Sequence, residues 1–307
     1  MEDSKQIPTD EAEEAEELLS KGFLNRLDRT QIIATRLYPG SRMGQRVSKS
    51  KGSGMEFSEH KQYSPGDDFR AVDWNVYART DHIYLKTFET ELNLYVYLLV
   101  DVSNSMSFGT TIRKLEYAKQ LAAALGYVTL VQGDNLAIHA MNDGLRESIS
   151  TASRRLRPSE VLQFCSSLQP GGETDFVRAL QAFSIHTGHP GMVFLISDFM
   201  SEGALPEALR YLVYNGFGVL AFHLIDPWEE DPDLSGEIDL EDSEDNKLLA
   251  LTIRRGTLDQ LKESFRQHCH EVNRAFATYE ANYFPVRTDQ PVENFVLEDL
   301  RHAGVVQ

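Results

Sequence analysis

The sequence predicts an α/β fold: a doubly wound, mostly parallel sheet flanked by helices, with a β-rich appendage on its N-terminal side. Three observations predict it. Apolar runs at Leu94–Val100, Met192–Ser197 and Gly218–Ile225 are long enough to be strands buried on both faces. Helix-period stretches separate them, as from Lys114 to Val131, where Leu115, Ala118, Ala122, Leu125 and Thr129 share one face. Alternation of strands with helices implies a sheet covered on both sides.

Each element has a local reason. Residues 1–19 are an acidic tail without an apolar core, residues 20–90 form the appendage, and residues 91–307 form the α/β domain with its C-terminal helices. Leu18 to Tyr38 carries Leu24, Leu27, Ile32 and Leu37 at near-helical spacing and is expected to pack on the main body. Arg42 to Gly54 is rich in Ser, Lys and Gly and reads as a loop. Phe57 to Phe88 suits strands and turns. Past the 114–131 helix, Gly133-Asp134 turns into a strand at 135–141. Asn142-Asp143-Gly144 then signals a hairpin to a partner strand at 145–151. Pro158 opens a helix to Leu168, Asp175 begins one to about Thr187, and Leu205 to Asn215 ends at Gly216. An edge strand is expected at 248–253, a long amphipathic helix from Thr257 to Tyr279, a short strand at 283–287 and a last helix at 291–302.

The candidate site begins at Asp101-Val102-Ser103-Asn104-Ser105, directly behind the first apolar run. A carboxylate followed by hydroxyls at alternate positions is a set of hard oxygen ligands, suited to a small divalent cation such as magnesium. Two distant pieces join it. Thr174 follows Gly171-Gly172-Glu173 at a helix start, and Asp198 ends the second apolar strand. Ligands of doubly wound sheets bind outside the carboxyl ends of the strands, where strand order reverses. If these two strands flank that point, the carboxylates converge. The set resembles the metal-ion-dependent adhesion site of the von Willebrand factor type A domain. That resemblance implies a magnesium (or manganese) ion held by Asp101, Ser103, Ser105, Thr174 and Asp198. Glu173, between the glycine pair and the threonine, departs from the family pattern.

A second block narrows the family. Tyr63, Pro65-Gly66-Asp67-Asp68, Arg70, Asp73-Trp74 and Ala78-Arg79, with Thr288-Asp289 near the carboxyl terminus, resemble the bacterial family named domain of unknown function 58. The resemblance runs from about residue 20 onward. It implies a partnership with a MoxR-type AAA+ ATPase, in chaperone-like maturation or assembly of other proteins. From the residues alone, the charged block reads as a salt-bridged turn with Trp74 as packed anchor, as a catalytic acid pair with an arginine clamp, or as a partner-facing surface.

Charge and composition exclude several classes. The net charge is -17, and it is local. Residues 1–19 hold eight acids and one lysine, and residues 226–245 hold eleven acids and no Lys or Arg. These segments read as solvated surface or as docking tails for a basic partner. Residues 20–86 carry twelve Lys or Arg against seven acids, interleaved and without an aromatic stacking pattern, which disfavours nucleic acid. Two cysteines, Cys165 and Cys269, form no C-x-x-C pair, so neither a disulfide scaffold nor a zinc site is expected. No apolar run spans a bilayer, and the expected location is the cytoplasm. His268-Cys269-His270 points to different faces of a helix. His186 and His189 sit where Gly188 and Pro190 end one.

Two function classes remain. A complete type A site is a binding device, whose partner supplies a Glu or Asp to the ion. The alternative is a magnesium-dependent phosphohydrolase using Asp101. Such enzymes need a second acid two residues later, where this chain has Ser103. No phosphate loop, nucleophile elbow or Cys/His pairing is present.

Overall fold

Lys21–Leu27 form a short helix, α1, because the Ser20 hydroxyl caps it by accepting from Phe23 N, and Phe23 and Leu27 are buried. The computed structural model describes residues 18–33, 47–51, 56–64, 72–91, 94–201, 204–233, 236–241, 248–253 and 255–307. The helical spacing read up to Tyr38 stops at Asp28. Residues 31–33 run extended, and Ile32 bridges Val306 antiparallel near the C-terminus.

Two units divide the chain, one of residues 34–94 and one of residues 1–33 with 95–307. The first contains three antiparallel strands, β1 (Val47–Lys51), β2 (Glu56–Gln62) and β3 (Tyr84–Glu91), in the order β1-β3-β2. It also contains a helix unforeseen in the sequence, α2 (Trp74–Thr80). Asp73 caps it by accepting from Asn75 N and Val76 N, and Asp81 ends it at φ 57. Trp74 is 62% exposed, with its ring edge-on to Tyr77. The Pro65-Gly66-Asp67-Asp68 turn and Arg70 lie outside the described residues.

The larger unit is a mixed α/β structure around a six-stranded, mostly parallel sheet. Its strands are β4 (Tyr95–Asp101), β5 (Asn135–Met141), β6 (Leu145–Ser150), β7 (Met192–Ser197), β8 (Gly218–Ile225) and, past a separate antiparallel pair, β9 (Gly236–Glu241) and β10 (Leu248–Ile253), the edge strand β11 (Asn282–Arg287). The spatial order is β11-β8-β7-β4-β5-β6, with only β6 antiparallel. The chain moves from β4 to β5 on one side and later returns to β7 on the other. Strand order therefore reverses between β4 and β7, the two strands that end in Asp101 and Ser197-Asp198.

Helices cover both faces. α3 (Lys114–Val131) and α4 (Pro158–Ser167) pack together, and α3 also contacts β4, β5, β7 and β8. α5 (Phe176–His186), α6 (Leu205–Tyr214) and α7 (Arg255–Thr278) cover the opposite face, where Tyr97, Leu99, Val193 and Leu195 meet Phe183, Leu209 and Phe276. Alternation along β4 turns Val96, Leu98 and Val100, all fully buried, toward α3. At about 25 cal/mol per Å² of apolar surface removed from water, this double-sided core is what fixes the strand register below the site. The last predicted helix forms as one continuous helical stretch, Val292–Asn294, a π-helical middle at Phe295–Asp299 and Leu300–His302.

Candidate functional site

All five predicted ligands meet at the β4/β7 switch point. Asp101 ends β4 and is buried. Its Oδ1 accepts from Ser103 N at 2.9 Å and from the Thr174 hydroxyl at 2.8 Å, and its Oδ2 accepts from the Ser197 hydroxyl at 2.6 Å. The Ser103 and Ser105 hydroxyls lie 3.0 Å apart, and Ser105 donates to Asp198 Oδ1 at 3.2 Å. The five residues thus form one hydrogen-bonded chain, Thr174 to Asp101 on one arm and Ser103 to Ser105 to Asp198 on the other, joined through the Ser103 backbone N–H.

Local structure aims each side chain. Ser103 precedes a single 3₁₀ turn, Asn104–Ser107, which brings the second serine back beside the first. Asp175 caps α5 by accepting from Arg178 N, which sets Thr174 at the end of the preceding loop. Hydrogen bonds pin the Gly171-Gly172 loop. Gly171 N donates to Val102 O at 2.7 Å, Asn104 N donates to Gly172 O at 2.9 Å, and Asn142 Nδ2 donates to Gly171 O at 2.8 Å. Gly172 adopts φ +77, which favours glycine. Glu173 is exposed beside it. Phe199, directly after Asp198, holds φ 52, a conformation costing a non-glycine residue about 1–3 kcal/mol. The Ser197 hydroxyl accepts from Phe199 N at 2.9 Å, and the Phe199 ring is buried between Phe176 and Phe276.

The electrostatics are those of crowded carboxylates. Burial, then the nearby Asp198, pushes the Asp101 carboxyl up to about 6, against the lowering effect of its three hydrogen bonds. A cation stands beside Asp198: Lys114, 1% exposed, sets its Nζ 2.7 Å from Asp198 Oδ2 and 2.7 Å from Glu229 Oε1. Burial acts to lower the Lys114 pKa, but the two carboxylates outweigh it and raise it; burial raises Glu229 despite its lysine partner.

Lys114 and Glu229 went unseen in the sequence, as did Asp226. The two acids fall in the 226–245 segment read as a solvated tail, yet Asp226 is fully buried. It accepts from Thr110 N at 2.8 Å, the Thr110 hydroxyl at 2.9 Å, Trp228 N at 2.9 Å and the Thr288 hydroxyl at 3.3 Å. It thereby ties the loop after Ser105 to the ends of β8 and β11. A signal existed: Asp226-Pro227-Trp228-Glu229 is a capping box with proline in the first turn. Residues 234–235 and 242–245 of the segment lie outside the described residues.

The remaining candidates separate. His189 stacks on Tyr95 at 4.6 Å between ring centroids, and His186 bonds Ala182 O. His268 faces His223 at 6.1 Å between ring centroids. Among the described residues, no three His, Cys, Asp or Glu side chains converge as a metal cluster. The potential ligands at the switch point are two carboxylates, Asp101 and Asp198, and three hydroxyls, Ser103, Ser105 and Thr174.

The family model described as "Protein of unknown function DUF58" matches residues 59–274. The chain belongs to the DUF58 family. The uncharacterized proteins Mb1516 of Mycobacterium bovis and Rv1480 of Mycobacterium tuberculosis are each 28% identical to this DUF58 chain over 252 residues, 80% of it and 79% of the relative. Among solved structures, it is similar to the conserved hypothetical protein BatB from Bacteroides thetaiotaomicron, at TM-score 0.41 and 15% identity, over 68% of this chain and 98% of that one. It is also similar to an aerotolerance-related membrane protein from Bacteroides fragilis, at TM-score 0.39 and 15% identity, over 68% of this chain and 100% of that one. No described helix of the DUF58 chain is long and apolar enough to cross a membrane.

Proposed function

We propose that this DUF58 protein is a metal-dependent protein-binding module. In this reading the larger unit is a von Willebrand factor type A-like domain, and the β-rich segment carrying the family block is its appendage. Asp101, Ser103, Ser105, Thr174 and Asp198 hold one magnesium or manganese ion, and a Glu or Asp of a partner protein completes the coordination. The observation that carries the reading is the convergence of those five residues in one hydrogen-bonded chain at the switch point. Its donors fit the ion. Octahedral magnesium with oxygens at 2.0–2.1 Å places adjacent ligands about 2.9 Å apart, and the two serine hydroxyls are 3.0 Å apart. Two buried acids in one pocket also favour a cation between them. Bound there, the ion would supply an electrophile for an incoming carboxylate. Asp101 orients Thr174 and the Ser103 backbone, and the serines present neutral oxygens.

The partner in this reading is a MoxR-type AAA+ ATPase or its client, and the setting is the cytoplasm, with neither nucleic acid nor membrane insertion. The support for the ATPase is the resemblance carried by Tyr63, Pro65-Gly66-Asp67-Asp68, Arg70, Asp73-Trp74 and Ala78-Arg79. The phosphohydrolase reading has less support. Both oxygens of Asp101 accept hydrogen bonds, and Ser103 stands where a general acid is needed.

The test is affinity for the ATPase with magnesium, with chelator and at high salt. Chelation should weaken the complex and Asp198→Ala should mimic it, while salt should matter less, because an inner-sphere bond is screened less than surface pairing. Loss with salt alone would replace the metal bridge by docking through the acidic 226–245 segment.

A further inference from the structure

The site holds a charge that the ligand set does not require. Lys114 is the first residue of α3, an 18-residue helix whose dipole presents its positive end there. A cation at that position is locally unfavourable, and burying an ammonium is costly unless it is paired. Helix formation therefore does not explain Lys114. Its surroundings do: Asp198 Oδ2 and Glu229 Oε1, each at 2.7 Å, with the Phe108 ring centroid 5.6 Å away. The two oxygens of Asp198 are divided. Oδ1 faces the two serines and accepts from Ser105, while Oδ2 faces the ammonium. Glu229 is itself fixed, because its Oε2 accepts from Asp226 N at 2.9 Å.

We propose that Lys114, seated on Glu229, is a positioning residue that competes with the divalent ion for Asp198 and so sets the ion affinity of the site. This rests on the metal reading above. Three carboxylates, Asp101, Asp198 and Glu229, and one ammonium leave two negative charges, which one divalent ion neutralises and a monovalent ion does not. The ammonium withholds part of Asp198 from the ion. The ion is thereby held weakly by the protein alone, and an anionic ligand from a partner offsets the ammonium. Metal uptake and partner binding become coupled through this one residue.

The experiment is calorimetric titration of the full chain with magnesium, comparing wild type, Lys114→Met and Glu229→Gln, with Asp101→Ala as the blank. Lys114→Met should tighten magnesium roughly tenfold, the order expected for removing one positive charge a few ångströms from a divalent ion. Glu229→Gln should weaken it by a similar factor, because it deletes a negative charge and leaves the ammonium on Asp198. Both variants should melt lower than wild type in chelator. A purely structural role lowers both melting points with unchanged affinity; opposite shifts in affinity are specific to the proposal. Equal affinities, or shifts in the same direction, overturn it. Should Lys114→Met fail to fold, Glu229→Gln alone decides by whether affinity falls. No magnesium uptake by wild type, or equal uptake by Asp101→Ala, overturns the metal reading itself and this inference with it.

Discussion

Replacing Asp226 by Asn should destabilise the protein far more than an exposed acid would. The side chain is fully buried and its two oxygens receive four donors. Thr110 N donates to Oδ2 and Trp228 N to Oδ1, and neither backbone donor can reverse its role. An asparagine amide must therefore aim its NH₂ at one of these N–H groups in either orientation. The variant loses a hydrogen bond to a charged acceptor and leaves a donor unsatisfied, together about 2–4 kcal/mol. For a chain of this size that is roughly a 3–6 °C fall in Tm. Asp226→Ala should cost about 3–5 kcal/mol. Thr288→Val removes one long bond of 3.3 Å and should cost about 1 kcal/mol or less. Thermal unfolding followed by circular dichroism, in chelator to exclude ion effects, reads all three. An Asp226→Asn protein that melts with wild type would refute the reasoning, because the four donors would then be satisfied some other way.

Three further outcomes follow from single residues. Gly172→Ala should cost about 1–2 kcal/mol and weaken ion uptake, because φ +77 disfavours a Cβ and that atom would lie 3.1 Å from Asn142 Nδ2; wild-type stability in denaturant would contradict this. His139 is lowered to about 4 by burial. Its folded pKa lies below the unfolded value near 6.5, so the unfolded chain binds the extra proton. Stability is then intact above pH 6.5 and lost as pH falls toward 4, by at most about 3 kcal/mol. His139→Gln should flatten that part of the stability profile, and an unchanged slope would contradict the assignment. Burial pushes the Cys165 thiol up to about 12 and Cys269 up to about 11. Alkylation of the native protein at pH 8 should therefore be slow until unfolding, and rapid labelling would contradict this.

Much of the α/β unit was legible because buried strands advertise themselves. The runs ending at Asp101 and Asp198 fixed two strands, and the strand-end rule then located the meeting point of five residues drawn from three distant segments. The antiparallel β5–β6 hairpin was legible from Asn142-Asp143-Gly144. Helix α2 was not, because its only strong signal is the Asp73 cap, set among aromatic residues that read as strand. The acidic segment misled for a physical reason. Composition averages over residues, so Asp226 and Glu229, buried on Thr110, Thr288 and Lys114, were counted with acids that follow them. Lys114 was hidden likewise: at the head of an amphipathic helix a lysine reads as a solvated end, and only the tertiary fold brings two carboxylates to it.

Asp101, Ser103, Ser105, Thr174 and Asp198 are proposed to form one divalent-cation site. Its most direct test is magnesium or manganese titration of wild type and Asp101→Ala by calorimetry. The account predicts saturable, one-to-one uptake by wild type that Asp101→Ala abolishes, with both proteins folded by circular dichroism. Equal uptake by the two, or none by wild type even with manganese, would contradict it.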